Sequence, residues 1–117
     1  MTITLPIPHK ALSPNAASPG RWRAKAKHIR IHRQRAKLRT LEALGGQPAP
    51  AFTGYTLTFY HATKRNRDDD NAAASCKSYR DGIADALRMD DHKLTMSATP
   101  QMLIDPTNPR LEILLHV

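Results

Sequence analysis

The chain has 117 residues with a formal net charge of +8, and 40% of its residues are hydrophobic. This length suits one domain with a modest core and excludes an assembly of several domains. Its longest apolar runs are a few residues, too short to span a membrane, and the N-terminus lacks the order of a signal peptide. The one cysteine, Cys76, excludes an internal disulfide and suits a reducing compartment. We therefore predict a single cytoplasmic domain over residues 1–117.

The positive charge is concentrated in the first part of the chain. Residues 1–50 contain ten Lys and Arg residues and one acid, whereas residues 51–117 contain eight basic and nine acidic residues. A basic excess of this kind attracts phosphate backbones and releases their counterions. The charge therefore favours a nucleic-acid partner over a surface that serves only solubility.

The first predicted elements are a strand, a loop and a long helix. Residues 2–6 alternate like a short strand that ends at a proline, and the Pro, Asn and Gly residues between 8 and 20 indicate a loop. Residues 22–44 are good helix formers. The buried face of this helix is predicted from larger or apolar side chains near helical spacing: Trp22, Ala26, Ile29, Ala36 and Leu44.

A second strand and a second helix follow. Gly45 and Gly46 end the first helix, and residues 52–60 are β-branched and aromatic with strand-like alternation. Asp70 or Asn71 is the predicted N-cap of the second helix. Its apolar stripe recurs at spacings of three and four: Ala72, Cys76, Tyr79, Ile83, Ala86 and Leu87.

The chain ends in strands. A weak strand is expected at residues 93–97 or 102–104. Residues 111–117 are mostly apolar and are predicted to form a terminal strand. The resulting order predicts an α+β fold: a small mixed β-sheet with two main helices packed on it.

Two acidic clusters bracket the second helix. Asp68, Asp69 and Asp70 precede it, and Asp90 and Asp91 follow it. In an extended segment alternate side chains share a face, so Asp68 and Asp70 are expected to point together and to hold one Mg²⁺ with Asp91. Lys77 lies seven positions after Asp70, two helical turns along the same face, where its charge can offset that of a scissile phosphate.

A structural interpretation of the same acids stays open. Acidic residues before a helix complement its dipole and cap its first turn, and a pair of aspartates is common in turns. The association of both clusters with one helix, and with the basic residues Lys64, Arg65 and Arg67, favours a metal-dependent nuclease site.

Four features of the chain occur together. They are Leu5–Pro6–Ile7–Pro8 with the later Ser13-Pro14-Asn15-Ala16; a strand leading into a basic run and the motif Asp68-Asp69-Asp70-Asn71; Lys77 followed by Asp81-Gly82-Ile83-Ala84-Asp85-Ala86-Leu87; and Asp90-Asp91 before His92. In these features the chain resembles the RusA-like Holliday-junction resolvases of bacteria and their prophages, over nearly its whole length.

The resemblance implies a Mg²⁺-dependent, homodimeric endonuclease, with Mn²⁺ as a possible substitute, that cuts four-way DNA junctions in recombination and repair. It implies that Asp68, Asp70 and Asp91 are the essential carboxylates and metal ligands, and that Lys77 is the base or charge partner. The basic residues expected to contact DNA are Lys64, Arg65, Arg67, Arg23, Lys27 and Arg30.

Four other side chains are candidates for the site or for the core. His28 and His32 have the i, i+4 spacing of a metal pair, but contact with DNA or solvent is favoured over a zinc site because no acidic partner accompanies them. Trp22 is expected to be a core anchor, with base wedging at a junction as the alternative. Cys76, on the apolar stripe, is expected to be a small core residue.

Two rival functions remain. One is a non-catalytic, basic DNA-binding protein of phage origin in which the aspartates serve as helix caps. The other is an accessory protein whose basic face binds an acidic protein. A nucleotide-binding enzyme is disfavoured, because the chain has five glycines and no glycine-rich phosphate loop.

Overall fold

The computed structural model describes residues 1–13, 22–64 and 69–117. Short 3₁₀ helices lie at Lys10–Leu12 and Asp91–Lys93. The strands and α-helices of the described ranges are, in chain order, β1 (Thr2–Leu5), α1 (Trp22–Leu44), β2 (Gly54–His61), α2 (Asp69–Ser75), α3 (Lys77–Leu87), β3 (Thr95–Met96), β4 (Gln101–Ile104) and β5 (Arg110–His116).

The sheet is mixed, with β5 between β1 and β2. Both neighbours of β5 run antiparallel to it, whereas β3 and β4 pair with β2 in parallel. β3 and β4 occupy successive parts of the same edge of β2, opposite residues 54–55 and 58–61. The sequence predicts a weak strand at residues 93–97 or 102–104, and a strand forms in each of these regions. The predicted α+β fold with a mixed sheet is confirmed at that level.

The core lies on one face of this sheet. Alternate residues of each strand point inward, which follows from the two-residue period of a strand. The pairing places Ile3 opposite Ile113, and Ile113 opposite Leu57, so that apolar rows cross three strands. Cys76, Tyr79 and Ile83 belong to the same buried cluster and bring α3 onto the sheet.

α1 lies close against α3 through small side chains. His32, Ala36 and Thr40 are its buried residues, spaced by four along one stripe. A Cβ atom added at Gly82 of α3 would overlap the carbonyl oxygen of Arg33 and lie 3.0 Å from Ala36 Cβ. The absence of a side chain at Gly82 therefore permits the close approach of the two helices.

The predicted buried face of α1 is wrong at three of its five positions, since only Ala36 is buried and Leu44 is half-buried. Trp22 is 67% exposed, and Ala26 and Ile29 are also exposed, so Trp22 is not a core anchor. The bounds of α1 agree with the prediction, and Gly45 and Gly46 end it with positive φ angles of 60° and 81°. The stripe differs because a glycine on α3, rather than apolar volume on α1, selects the face that packs.

The single second helix predicted from the sequence is two helices, so α1, α2 and α3 replace the expected two main helices. Cys76, at φ −91° and ψ 2°, interrupts the helical path between α2 and α3. Its side chain is nonetheless buried in the core, as predicted. The apolar stripe continues across the break because Cys76, Tyr79 and Ile83 keep their spacing, so side-chain periodicity did not reveal the interruption.

None of the helices in the described part of the chain combines the length and apolar character needed to cross a bilayer. α1, the longest of them, is rich in Lys and Arg.

Candidate metal and nucleic-acid site

Asp69 and Asp70 form the first turn of α2. The predicted extended geometry, in which alternate aspartates share a face, is therefore wrong for these two residues. Because the helix begins at Asp69, Asp70 and Asn71 lie inside it and neither is its N-cap. Asp68 lies outside the described residues. Asp70 is exposed, and its position in the first turn suits a negative charge at the positive end of the helix dipole.

Lys77 begins α3, beyond the break at Cys76, so it does not continue the helical face of Asp70 as predicted. Its ammonium group donates a hydrogen bond to Asp81 Oδ2 at 2.9 Å, one helical turn further on. The two side chains differ in environment: Lys77 is 66% exposed and Asp81 is 16% exposed. Asp81 thus fixes one end of the contact while the Lys77 charge faces solvent.

Asp91 lies against α3, although it follows that helix in sequence. Arg80 Nη2 donates to Asp91 Oδ2 at 3.2 Å, and both side chains are half-buried. The chain after α3 therefore turns back so that Asp91 contacts Arg80, which lies in the first turn of that helix.

Asp90, Asp91 and His92 have ligand atoms within 4.8 Å of one another. Among the described residues, these three side chains form the group that could hold a metal ion. Asp90 Oδ1 also accepts a hydrogen bond from the His92 backbone N–H at 3.0 Å and caps the 3₁₀ helix Asp91–Lys93. Asp70 is not a member of this group. The sequence identified Asp90 and Asp91, but it gave no reason to include His92.

A bidentate ion pair joins the acidic side of α3 to α1. Arg33 donates to both carboxylate oxygens of Asp85, at 2.6 and 2.9 Å. Hydrogen bonding from Arg33 holds the pKa of Asp85 below its usual range. The pKa of Arg33 is raised mainly by its hydrogen bond to Asp85 and by the charge of Asp85. Desolvation lowers this pKa, and the charges of Asp81 and Asp91 raise it by smaller amounts. The three acids therefore share one electrostatic environment beside α1.

Three of the predicted DNA-contact residues share the outer face of α1. Arg23, Lys27 and Arg30 are exposed and lie at spacings of four and three, roughly opposite the buried stripe on a helix of 3.6 residues per turn. We call Arg23, Lys27 and Arg30 the basic stripe. Arg23 stacks over Trp22, 5.2 Å from the ring centre. Lys64 is exposed, and Arg65 and Arg67 lie outside the described residues.

His28 and His32 contact the N-terminal segment, and His32 also contacts α3. The rings of His28 and His9 stack at 3.7 Å, and His32 Nε2 accepts the backbone N–H of His9 at 3.1 Å. His32 is buried against Tyr79, so the prediction of contact with DNA or solvent is wrong for this residue. It lies on the stripe of α1 that packs against α3, a face that the sequence did not identify.

Sequence reasoning missed the partners that orient the candidate residues. Arg80 contacts Asp91, and Arg33 contacts Asp85, across 11 and 52 positions of sequence. The four-residue step from Lys77 to Asp81 was a usable signal, since such pairs are neighbours on a helix. The contacts of Arg80 and Arg33 carry no such local signal because they depend on how the chain returns and how the helices pack.

No family model matches the chain. The chain is 38% identical over 95 residues to an uncharacterized protein of Xylella fastidiosa, and this similarity covers 79% of the chain and 61% of the relative. The chain therefore matches about three fifths of the length of that bacterial protein.

Proposed function

We propose that the protein is a Mg²⁺-dependent, structure-selective endodeoxyribonuclease that resolves four-way DNA junctions by paired phosphodiester hydrolysis in recombination and repair. The observation that most supports it is the contact of Asp91 with Arg80 at 3.2 Å, which holds this carboxylate against the first turn of α3, the helix that begins at Lys77. An acidic cluster beside an exposed cation, next to a strongly basic helix, is an arrangement suited to hydrolysis of a polyanion.

The residues fit a hard cation by the chemistry of their donors. Asp70 and Asp91 offer carboxylate oxygens, which Mg²⁺ prefers, and Asp68 is the third ligand that the resemblance implies. Arg80 engages Oδ2 of Asp91, and Oδ1 of Asp91 forms no ion pair with another residue in the described part of the chain. When bound, Mg²⁺ would polarise phosphate oxygens and lower the cost of forming hydroxide from water.

The remaining steps belong to side chains of this protein. Arg80 fixes the orientation of Asp91, because its guanidinium holds one carboxylate oxygen. Lys77 pairs with the Asp81 carboxylate at 2.9 Å, a contact that suits a role as charge partner better than a role as general base. The basic stripe would hold phosphates of the DNA arms and recognise their path rather than their sequence. Two copies about a dyad would present two such sites to opposed strands.

The test is cleavage of a synthetic four-way junction with and without Mg²⁺ by the wild type, Asp70→Asn and Asp91→Asn. We expect symmetric, Mg²⁺-dependent nicks whose rate falls by at least about 100-fold in both variants. Junction affinity measured without Mg²⁺ should stay the same or rise, because a negative charge near phosphate is removed.

Asp105→Asn is the matched control for that experiment. It makes the same chemical change at an acid that pairs with Arg110 and is not a predicted site residue, and it should cut as the wild type does. Absence of cleavage by the wild type, or equal loss of binding and cleavage in the two variants, would contradict the proposal.

Lys77 can be tested as a charge partner by comparing Lys77→Arg with Lys77→Gln. A charge role predicts that the arginine variant retains a measurable part of the cleavage rate and the glutamine variant does not, because guanidinium keeps the positive charge. A general base predicts that both variants are equally inactive, since guanidinium stays protonated. Single-turnover rates on the same junction distinguish the two outcomes.

A second function is favoured by one set of contacts. Asp90 caps a 3₁₀ helix, Asp91 pairs with Arg80, and Asp85 pairs with Arg33, so these acids also have structural roles. A non-catalytic DNA-binding protein would use them in this way alone. It predicts junction binding independent of divalent cations, no carboxylate-dependent cleavage, and lower stability of Asp91→Asn than of the wild type.

A further inference from the structure

The segment of residues 6–13 is held against the helices by ring side chains. The Tyr79 hydroxyl donates to the Pro6 carbonyl at 2.8 Å, and His32 Nε2 accepts the His9 backbone N–H at 3.1 Å. The His9 ring lies flat on His28, with 3.7 Å between centres and 11° between planes. His32 stacks in turn on Tyr79 at 4.8 Å. The contact therefore joins the N-terminal segment, α1 and α3.

Two hydrogen bonds in this region have a histidine ring nitrogen as the acceptor, and each requires that ring to be neutral. The first is the bond from the His9 N–H to His32 Nε2. His9 Nδ1 accepts the Ala11 backbone N–H at 3.0 Å and begins the 3₁₀ helix Lys10–Leu12. A ring nitrogen that accepts a hydrogen bond carries no proton, so neutral His9 has its proton on Nε2 and neutral His32 has its proton on Nδ1. In each ring the nitrogen left to take up a second proton is the acceptor. Protonation of either ring therefore breaks its bond to the segment.

The surroundings also disfavour a charged His32. The His32 ring is buried, with 4% of the residue exposed. The titratable and charged groups that face it are His9 from the segment, His28 and Arg35 from α1, and Tyr79 from α3. None of these groups is a carboxylate that would stabilise an imidazolium.

The pKa values of the two α1 histidines follow from this environment. Burial, and then the charge of Arg35, lower the pKa of His32, against a smaller raising effect of a backbone hydrogen bond at His28. Burial, and then His9 and Lys27, lower the pKa of His28. Both groups bind protons less well in the docked state than when released.

We propose that residues 6–13 form a pH-sensitive latch on α1, closed while His9 and His32 are neutral and opened by their protonation. Because burial makes the docked His32 ring bind a proton less well than the released ring, docking is complete above the ordinary histidine pKa of about 6.5 and weakens as the pH falls below it. Opening places imidazolium charge on the helix that carries the basic stripe. Proton uptake would therefore change both the charge of α1 and the extent to which residues 6–13 cover this helix.

The experiment is amide hydrogen exchange of the full chain, followed by NMR at pH 7.5 and 5.0 and corrected for intrinsic exchange. We expect the protection of the His9 and Ala11 amides to fall by at least about tenfold at pH 5.0. Uptake of one proton on release changes the docking equilibrium by about tenfold for each pH unit below the histidine pKa. The amides of Ile113 and Leu115, in the central strand β5, should keep their protection because the sheet does not depend on the latch.

Two variants remove titration while keeping the acceptors. His32→Gln offers an amide oxygen to the His9 N–H, and His9→Asn offers one to the Ala11 N–H as in an Asx turn. The double variant should retain protection of the segment at pH 5.0, and His9→Asn alone should retain it at Ala11 if His32→Gln does not fold. His116→Gln is the control, because His116 contacts Thr56 on the sheet, and it should behave as the wild type.

Three results would overturn the latch. They are equal protection of His9 and Ala11 at both pH values in the wild type, a parallel loss at Ile113 and Leu115, and an undiminished acid-induced loss at Ala11 in His9→Asn. The second would show general acid unfolding, and the third would show that the acid response has another source.

Discussion

Aspartates within eleven positions of one another have different environments in this fold. Asp81 holds Lys77, Asp85 takes a bidentate contact from Arg33, and Asp90 caps a short helix. A carboxylate that is fully engaged by a guanidinium is a poor candidate for a metal ligand, because both of its oxygens already have donors. This separates Asp85 from Asp91, which Arg80 contacts through one oxygen.

Arg33→Gln tests the electrostatic part of this argument. Hydrogen bonding from Arg33 lowers the pKa of Asp85 in the folded protein, so the pair stabilises the fold above the ordinary aspartate pKa of about 3.9. That contribution is lost as the pH falls through the lowered folded value. The variant should raise the Asp85 midpoint towards the ordinary value and lower the free energy of unfolding at pH 7 by about 0.5 kcal/mol, a small amount because the pair is partly exposed.

NMR titration of the Asp85 side chain and urea unfolding at pH 7 provide the measurements. Arg39→Gln is the control, since its partner Glu42 lies in an exposed pair, and it should leave the Asp85 midpoint unchanged. A midpoint that does not move in Arg33→Gln would show that the ion pair does not set the titration of Asp85.

At the scale of elements, the sequence was informative where one residue pattern determines both the element and its buried face. The alternation in β2 and the stripe of α3 correctly identified Leu57, Phe59, Tyr79 and Ile83 as core residues. In α1 the helix was predicted correctly and its face was not. Its buried stripe contains His32 and Thr40, which are polar, and the packing depends on a glycine 46 positions after Ala36 in another helix.

Gly82→Ala tests whether that glycine sets the approach of α1 and α3. The added methyl group would overlap the Arg33 carbonyl, and overpacking of this kind costs about 1–3 kcal/mol, which outweighs the gain of about 1 kcal/mol from the better helix propensity of alanine. We expect a net loss of about 1–2 kcal/mol in the free energy of unfolding, measured by urea denaturation.

Gly45→Ala separates crowding from the other effects of a methyl group. Its Cβ would meet nothing within 4 Å, but φ of +60° disfavours alanine, so a loss of about 1 kcal/mol without displacement of α1 is expected. Chemical shifts of Ala36 and Thr40 should move in Gly82→Ala and remain in place in Gly45→Ala. Unchanged shifts at these positions in Gly82→Ala would refute close packing at Gly82.

The basic stripe makes a separate prediction for α1. Substitution of Lys27 and Arg30 by glutamine should weaken DNA binding and reduce the slope of log affinity against log salt by about 2, because each phosphate contact contributes about 0.9 to that slope. The matched double variant removes two exposed charges elsewhere, at Arg39 and Arg88, and should change the slope less. Fluorescence anisotropy over a salt series provides the slopes, and equal slopes for both variants would exclude a localised interface.

The scale of the whole molecule explains why the candidate site was only partly predictable. Lys77 and Asp91 were identified from residue type and spacing, whereas their relation depends on the chain returning along α3 to Arg80. The extended arrangement expected for Asp70 failed because α2 begins one residue earlier. Local patterns therefore identified chemical groups, and tertiary packing determined which of them meet.

Cys76 provides a test of whether the two short helices and the sheet open as one unit. Its side chain is 3% exposed within the core cluster, and burial raises the pKa of the thiol to about 12. Because the thiolate is the nucleophile, Ellman's reagent should modify native Cys76 at least about 100-fold more slowly than in denaturing guanidinium chloride.

The control for labelling is Cys76→Ala combined with Ala74→Cys, which moves the thiol to an exposed position of α2 and should label rapidly in the native state. If labelling of Cys76 requires global opening, Gly82→Ala should accelerate it in proportion to its loss of unfolding free energy, because exchange then follows the population of the open state. Rapid labelling in the wild type, with core amides still protected, would instead show that the chain opens locally at the break between α2 and α3. In that case the position of Asp70 relative to Lys77 would be set by a hinge rather than by the core.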